Sequence, residues 1–563
     1  MWRWVSGVCF CLLSWSTEAQ DPGRYDVVLH EIFADPTPSR GLPASEFIEL
    51  RNRSAAPVQL RNWTIKTGSS TGRINVNIIL QPDSMVILCG ASAATSFQPY
   101  GQTVVVTSFP SLNNDGDSLM LYSGSGKLIH GLVWSKNWYK NELKEEGGWS
   151  LEMKDIRFSC DFSENWNASI DPKGGTPGKP NSIKEIVQES TLPKLLYSYI
   201  LGKKDLFLQF SKPINPLTAQ IILDPHLAIA KIEEVPPLFT SLSVRLQTEA
   251  DSTTLYRATV SGVRTCQAEV INQSSIRTGM LISPGFQKIV INEILFNPPV
   301  GGSDFIELLN LSNHVLNAGA LRIANRSSDG KISSITTIHD QPYPIFPGEH
   351  ILVTTDPEWI KAKYLPPDTI TSLATSLPSY PDDKGSAVLL DEQGTILDEL
   401  TYDEKWHFTL LTNKESISLE RVNPKGKTQE SGNWHSASGT NGYATPGYRN
   451  SQQFDHQSSG KYFSLNTKII SPDNDGQDDY MMLTYDLPAQ GAVMTIRIYD
   501  AAGREITKLA NNRLCGNTGQ FRWDGYTHTG KKVSRGFYIL LAEAFFKNGE
   551  VLRFKDAIAV YEN

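Results

Sequence analysis

The chain lacks most of what metal proteins and hydrolases are built from. It has six cysteines in 563 residues, and Cys9 and Cys11 fall inside an apolar leader. The other four, Cys89, Cys160, Cys266 and Cys515, form no C-x-x-C pair, which excludes a structural zinc knuckle. Ten histidines are present, and His30-Glu31 has no second histidine four residues after His30, which excludes a zinc helix. Helix-periodic runs of ten or more residues are nearly absent, and a nucleophile elbow requires a helix behind its strand. Gly124-Ser125-Gly126-Lys127 lies between the strand-like runs LMLY and LIHGLVW, so it reads as a hairpin turn and not as a phosphate loop. After the leader, no segment approaches the ~18 apolar residues of a membrane-spanning helix. Positive charge is also scarce: 52 Lys and Arg stand against 60 Asp and Glu, a net charge of −8. Nonspecific nucleic-acid binding depends on neutralising phosphates, so that class is not expected.

What is present points to strands. Forty-two glycines and 32 prolines punctuate short apolar runs, and the fold class they predict is all-β. The opening MWRWVSGVCFCLLSWSTEAQ has Arg3, an apolar stretch through Trp15 and a small residue at Ala19, the pattern of a secretory signal over residues 1–19. Export would place the four remaining cysteines in an oxidising compartment. Free buried thiols are the expected state, and Cys89–Cys160, within one repeat, is the one pairing to consider against it.

The chain also repeats itself. SEFIELRN at 45–52 returns as SDFIELLN at 303–310, and VVLHEIFADPTP at 27–38 returns as IVINEILFNPPV at 289–300. GGWSLEMKD at 147–155 answers ESISLERVN at 415–423, and NWNASIDPKGGTPGKPNS at 165–182 answers NWHSASGTNGYATPGYRNS at 433–451. Four matched blocks in one order predict a duplicated domain, at 23–183 and 287–452. Between the copies, residues 190–285 carry alternating runs such as KDLFLQFSKPIN, the spacing of a small sandwich. Residues 453–460 read as a linker, and 461–563 as a last domain with turns at Gly525, Gly530 and Gly536.

The repeated unit resembles the lamin tail domain, an immunoglobulin-like β-sandwich. The resemblance rests on the opening Asn/His-Glu-Ile strand, the FIEL-N block, the turn from Asn114 to Asp117 and the closing NW…TPG…NS. The second copy departs at the turn, where Asp382-Asp383-Lys384-Gly385-Ser386 stands instead. Through LFLQFSKPINPLTA, the middle unit resembles bacterial Ig-like domains. The last unit, with SPDNDGQDD, IYDAAGRE, WDG and GFY, is similar to Ig-like C-terminal domains of hook-capping and gliding-motility-associated proteins. The resemblance implies tandem Ig-like sandwiches and, through the last unit, a type IX secretion sorting module.

Three sets of residues invite chemistry. Glu31/Glu49 and Glu293/Glu307 fall at matching positions of the repeat, where two carboxylates facing each other would serve as acid and base. The competing reading makes them partly buried architectural acceptors at a sandwich edge. Trp166 and Trp434 invite carbohydrate stacking, against a core-sealing role. In SPDNDGQDD, Asp473, Asp475 and Asp479 offer carboxylates around the sharp turn at Gly476, a candidate calcium loop; the alternative is a solvated turn. Loops 135–147, 331–347 and 356–384 are candidates for ligand contact.

The expected function is that of an exported, non-catalytic, multidomain surface or extracellular protein. It would act as a structural and adhesive array on an unidentified protein or glycan. The alternatives are an accessory module of a secreted hydrolase system and a nucleic-acid-binding lamin-tail protein.

Overall fold

The computed structural model describes residues 22–68, 70–185, 192–216, 218–265, 269–409, 411–453, 462–473 and 477–561. The signal at 1–19, most of the linker, Cys266 and Asp475 lie outside the described residues. The chain is all-β in tandem Ig-like sandwiches. It divides into two compact units: one holds the first repeat with most of the middle domain, the other the second repeat with the C-terminal domain.

In the first repeat, Val27–Phe33 lies at the centre of a sheet between Phe47–Asn52 and Leu151–Met153. Met85–Cys89 and Thr103–Thr107 extend it on one side and Trp166–Ala168 on the other. Thr71–Ile74, Thr64–Lys66, Gly116–Tyr122 and Leu128–Ser135 continue from Thr103–Thr107, so ten strands form one sheet folded over a single core. Ile48 and Leu88 from one end of it meet Leu119, Ile129 and Trp134 from the other. All seven residues of Val27–Phe33 are buried, whereas a strand with one wet face would alternate. The second face is dry because Phe33, Phe47, Ile87 and Cys89 pack under Phe97.

The second repeat has the same element order and register. Glu293 opposes Glu307, and Ile294 opposes Ile306, just as Glu31 opposes Glu49 and Ile32 opposes Ile48. Its strands separate into a six-stranded and a four-stranded sheet. The stitch present in the first copy, Arg73 to Thr107 and Ile74 to Val106, has no counterpart among the described residues of the second. Tyr364, on a helix over Pro357–Tyr364, covers Phe305 and Leu352 on the outer face.

The middle domain pairs Asp205–Phe210, Ser241–Leu246 and Ile229–Val235 in one sheet and Gln220–Asp224, Tyr256–Ser261 and Ser274–Thr278 in another. Along Asp205–Phe210, Leu206, Leu208 and Phe210 are buried and the residues between them are half-exposed, the period of two expected of a one-sided strand. In the C-terminal domain a sheet of Phe463–Leu465, Met481–Asp486 and Thr518–Trp523 packs on a five-stranded one centred on Gly536–Phe545.

Two expectations change. Cys89 is a free, buried thiol, and so is Cys515, whereas Cys160 is disulfide-bonded, so Cys89–Cys160 does not form. The three candidate loops are largely structured. Lys136–Tyr139 and Glu142–Glu145 are helical turns, with Trp138 and Tyr139 buried; Ile332–Thr337 is a strand; and 356–384 contains the helix just described.

Candidate functional site: two rows of buried glutamates

Each repeat places three glutamates side by side on adjacent central strands. Glu31 lies directly opposite Glu49 on one side and Glu152 on the other, and all three are 0% exposed. In the second repeat Glu293 lies between Glu307 and Glu420, again with all three at 0%. The paired carboxylates therefore do face one another. They sit in mid-sheet and not at the edge, and they belong to a row of three. The third member was legible in the sequence: Ser-Leu-Glu recurs in the matched blocks at 150–152 and 418–420.

Like charges on directly opposed residues destabilise a sheet, and isolated buried carboxylates cost far more. The segment after the last strand supplies the compensation. Glu31 Oε1 accepts from Ser150 Oγ (2.6 Å) and Thr176 N (2.8 Å). Glu152 accepts from Thr176 Oγ1 (2.9 Å), Ser182 Oγ (2.8 Å) and Ile183 N (3.2 Å). Glu49 Oε2 accepts from Gly178 N (2.6 Å), and its Oε1 accepts from His30 Nδ1 (2.8 Å). Gly178 has φ +74°, and a Cβ there would fall 2.1 Å from the Tyr100 carbonyl oxygen, so only glycine brings this N–H to the carboxylate.

The second row repeats the pattern. Glu293 accepts from Ser418 Oγ (2.5 Å) and Thr445 N (2.8 Å), and Glu420 from Thr445 Oγ1 (2.7 Å), Ser451 Oγ (2.8 Å) and Gln452 N (2.8 Å). Glu307 accepts from Gly447 N (2.5 Å), Asn292 Nδ2 (2.8 Å) and His350 Nδ1 (2.7 Å). Burial pulls the His350 imidazole down, but its hydrogen bond to Glu307 and the carboxylate's charge outweigh this and leave it raised. Asn181 and Asn450 complete the plug by donating to His30 O and Met153 O, and to Asn292 O and Arg421 O. The TPG…NS signature is thus the set of donors that the glutamate row needs.

The central carboxyl of each row is held well above the usual range. For Glu31 the causes are burial, then the charges of Glu49 and Glu152; for Glu293 they are burial, then Glu420 and Glu307. Burial raises Glu420 as well. A proton retained on the central carboxyl relieves the row's repulsion. Because the folded pKa lies above the unfolded one, this contribution falls away as pH rises through the folded value.

Other motif residues also satisfy backbone groups. Asn52 Nδ2 donates to Ala56 O and Leu80 O, and Asn310 Nδ2 to His314 O and Ile345 O. In the NW blocks, Asn165 accepts from Asp155 N (2.9 Å) and Asn433 from Asn423 N (2.8 Å), while Trp166 and Trp434 are buried in the two cores. Gly124–Gly126 forms the expected hairpin turn between Gly116–Tyr122 and Leu128–Ser135. Residues 68–72 do read G-x-S-x-G, but they lie between the paired strands Thr64–Lys66 and Thr71–Ile74 with no helix behind them. At the candidate calcium loop, Asp473 N donates to Ser471 O (2.7 Å) and Ser471 N to Asp478 O (2.8 Å); Asp473 and Asp479 are described and Asp475 is not. Among the described residues no three His, Cys, Asp or Glu side chains converge as a metal site, and no helix is long and apolar enough to cross a membrane.

Residues 20–136 match the family model of the Lamin Tail Domain. The match stops short of Glu152 and the Thr176–Ser182 plug. No curated protein matches the chain. Solved structures similar to it include CopC from Methylosinus trichosporium OB3b, at 14% identity over 17% of this chain and 87% of that one, TM-score 0.13. FLGD from P. aeruginosa matches at 16% identity over 19% and 78%, TM-score 0.14. PorZ of Porphyromonas gingivalis, described as an essential surface component of its type-IX secretion system, matches at 9% identity over 92% and 69%, TM-score 0.17. Residues 20–136 are thus similar in sequence to the lamin tail domain, and the fold is that of immunoglobulin-like sandwiches.

Proposed function

We propose that this chain is an exported, non-catalytic array of sandwiches that serves as structural and adhesive material at the cell surface or in the medium, touching extracellular protein or glycan. The observation that carries the reading is the burial of both glutamate rows. A carboxyl with no exposed surface, held by Ser, Thr and backbone N–H groups, meets no substrate. The most suggestive acid–base pairs are therefore used to hold a segment in place. The lamin-tail match and the duplication support the same role, since stacked sandwiches are building material first.

Two measurements test it. Purified protein is screened against phosphoesters and glycosides with and without divalent metal, calcium included. No turnover is expected, and turnover abolished by Glu49→Gln or Glu307→Gln in a folded variant would overturn the non-catalytic reading. Cell fractionation then compares the intact chain with one truncated after Tyr462. The intact form is expected at the surface or in the medium and the truncated form inside the envelope; retention of both inside would remove the surface role.

A further inference from the structure

Within the second compact unit, a cavity of about 500 Å³ opens where the second repeat meets the C-terminal domain. The seam beside it is polar and close-fitting. Gly491 N donates to Gln452 Oε1 (3.3 Å), Arg513 donates to the Gly439 carbonyl, and a Cβ on Gly491 would fall 2.6 Å from His435 Nε2. Among the described residues no carboxylate lines the cavity, although acidic residues outnumber basic ones in the chain. Lys405 and Lys547 are exposed at its rim, and neither pairs with a carboxylate among the described residues.

His407 adds an independent sign. It is 2% exposed, its Nδ1 is engaged by Ser436 Oγ (2.9 Å), and its Nε2 is buried with no partner although the residue lines the cavity. Ser436 Oγ also accepts from Phe408 N (2.8 Å), so the hydroxyl ties the ring to the backbone beside it. Burial holds this imidazole neutral, down to about 3. Buried polar atoms without partners are rare, and one on a residue at a cavity wall marks that wall as polar.

The first repeat shows that this is local specialisation. The turn Lys136–Tyr139 corresponds to Glu404–Trp406 and His407, with Tyr139 in place of His407. Asn167, opposite Glu152, stands where His435 stands opposite Glu420. Both imidazoles therefore occur only in the copy that adjoins the C-terminal domain.

The walls narrow the chemistry. Trp406, Phe408 and Phe546 supply flat apolar surface, while Thr409, Ser431, Gln490 and Asn548 supply neutral hydroxyls and amides. A bare inorganic anion would leave the aromatic walls unused. A neutral sugar would leave two ammonium groups without a counter-charge. A pyranose ring bearing a carboxylate uses all three: its C–H face lies on the aromatics, its hydroxyls meet the amides and hydroxyls, and its carboxylate meets the ammonium groups. The volume suits one or two such rings.

We propose that the cavity between the second repeat and the C-terminal domain binds an acidic saccharide, a uronate-bearing mono- or disaccharide unit. This rests on the surface-array reading and gives that array a ligand class.

The test is calorimetric titration of the purified full chain with a glucuronate disaccharide, its carboxyl-reduced counterpart and inorganic phosphate. Saturable binding is expected for the uronate alone, and it weakens as salt is added. Lys405→Ala and Lys547→Ala, both at exposed positions, should each weaken binding about tenfold. His407→Tyr, which installs the residue of the first repeat, should do the same; thermal melting checks that each variant is folded. Equal binding of the reduced sugar or of phosphate, or uronate binding unchanged in both lysine variants, overturns the assignment, as does no binding at all. The readout does not depend on where the cell places the protein. Failed binding leaves the surface role standing, and binding by a protein retained inside the envelope sinks that role but not the pocket.

Discussion

In the first repeat the bulge after Leu29 leaves a buried backbone N–H, which is accepted by His130 Nδ1 (2.9 Å), and His130 Nε2–H then donates to Ser159 O (3.1 Å). In the second repeat the bulge after Ile291 presents the same N–H to Asp398 Oδ2 (2.9 Å), and Asp398 is paired with Arg421 (2.9 Å). Arg421 occupies the position held by Met153 in the first repeat, each directly opposite the core tryptophan. One copy thus meets the demand with a neutral imidazole beside a thioether, the other with a buried ion pair. A second exchange occurs at the glutamate row. His30, the bulged residue itself, donates to Glu49, whereas in the second copy Asn292 takes the bulge and His350 reaches Glu307 from the strand next door, where the first copy has Met85. What stays constant is the backbone group or carboxylate that must be satisfied. The residue that satisfies it is free to change, and to change strands.

The ion pair is the place where breaking this equivalence should cost most. Arg421→Met alone leaves Asp398 buried without its counter-charge, with Ile291 N, Glu399 N and Thr428 Oγ1 as its remaining donors. Removing one partner of a buried pair costs about 3–5 kcal/mol, so urea unfolding of the second repeat should shift by that order. Adding Asp398→His, which recreates the arrangement of the first repeat, should recover most of the loss. If the double variant is no more stable than the single one, the two solutions are not interchangeable.

The imidazole solution has a pH signature. Burial holds His130 down at about 4, so the folded state keeps it neutral while the unfolded chain takes up a proton near the ordinary value of 6.5. Stability from this group is present above that ordinary value and is lost as pH falls from about 6.5 to about 4, by roughly 3 kcal/mol. His407 in the second repeat is buried neutral in the same way, so the comparison must be made within the first repeat. Transplanting the ion pair as His130→Asp with Met153→Arg should flatten the acid limb of stability measured by denaturant titration between pH 7 and 4. An unchanged slope would mean that His130 does not carry it.

Much of this was legible before any coordinates. The repeated blocks gave the duplicated domain because each repeated residue has a fixed duty: Asn52 and Asn310 tie a turn, Gly178 and Gly447 hand an N–H to a glutamate, Asn181 and Asn450 cap a bulge. Burial was misjudged at Val27–Phe33. The glutamates read as partly buried acceptors at a sandwich edge, whereas the plug and the Phe97 segment leave them fully buried in mid-sheet. No local pattern announces that, since the covering residues lie over 100 positions away in sequence for Thr176 and Gly178. The expectation of free buried thiols holds for Cys89 and Cys515 and fails for Cys160, because sequence position says little about which thiols meet. The basic cavity could not be read at all: Lys405, His407 and Lys547 come together only through packing of one domain on another.

The exchange at the glutamate row should have the smallest effect, and it is the sharpest test of whether position or chemistry matters. His30→Asn places in the first copy the residue that the second copy uses at its bulge, and an amide Nδ2 there still reaches the neighbouring glutamate, as Asn292 does (2.8 Å). The loss is then a weaker donor and a smaller side chain, not an unsatisfied carboxylate, and about 1 kcal/mol is expected in unfolding experiments. Adding Met85→His supplies the second donor as His350 does and should return stability to the parent value or slightly above it, since Glu307 accepts from three groups where Glu49 accepts from two. If His30→Asn costs about 3 kcal/mol and Met85→His restores nothing, the imidazole at position 30 is required for packing against Arg51 (3.4 Å) and not for its hydrogen bond to Glu49. The two repeats would then be alternatives in outline only, each locked to its own residues by the neighbours those residues acquired.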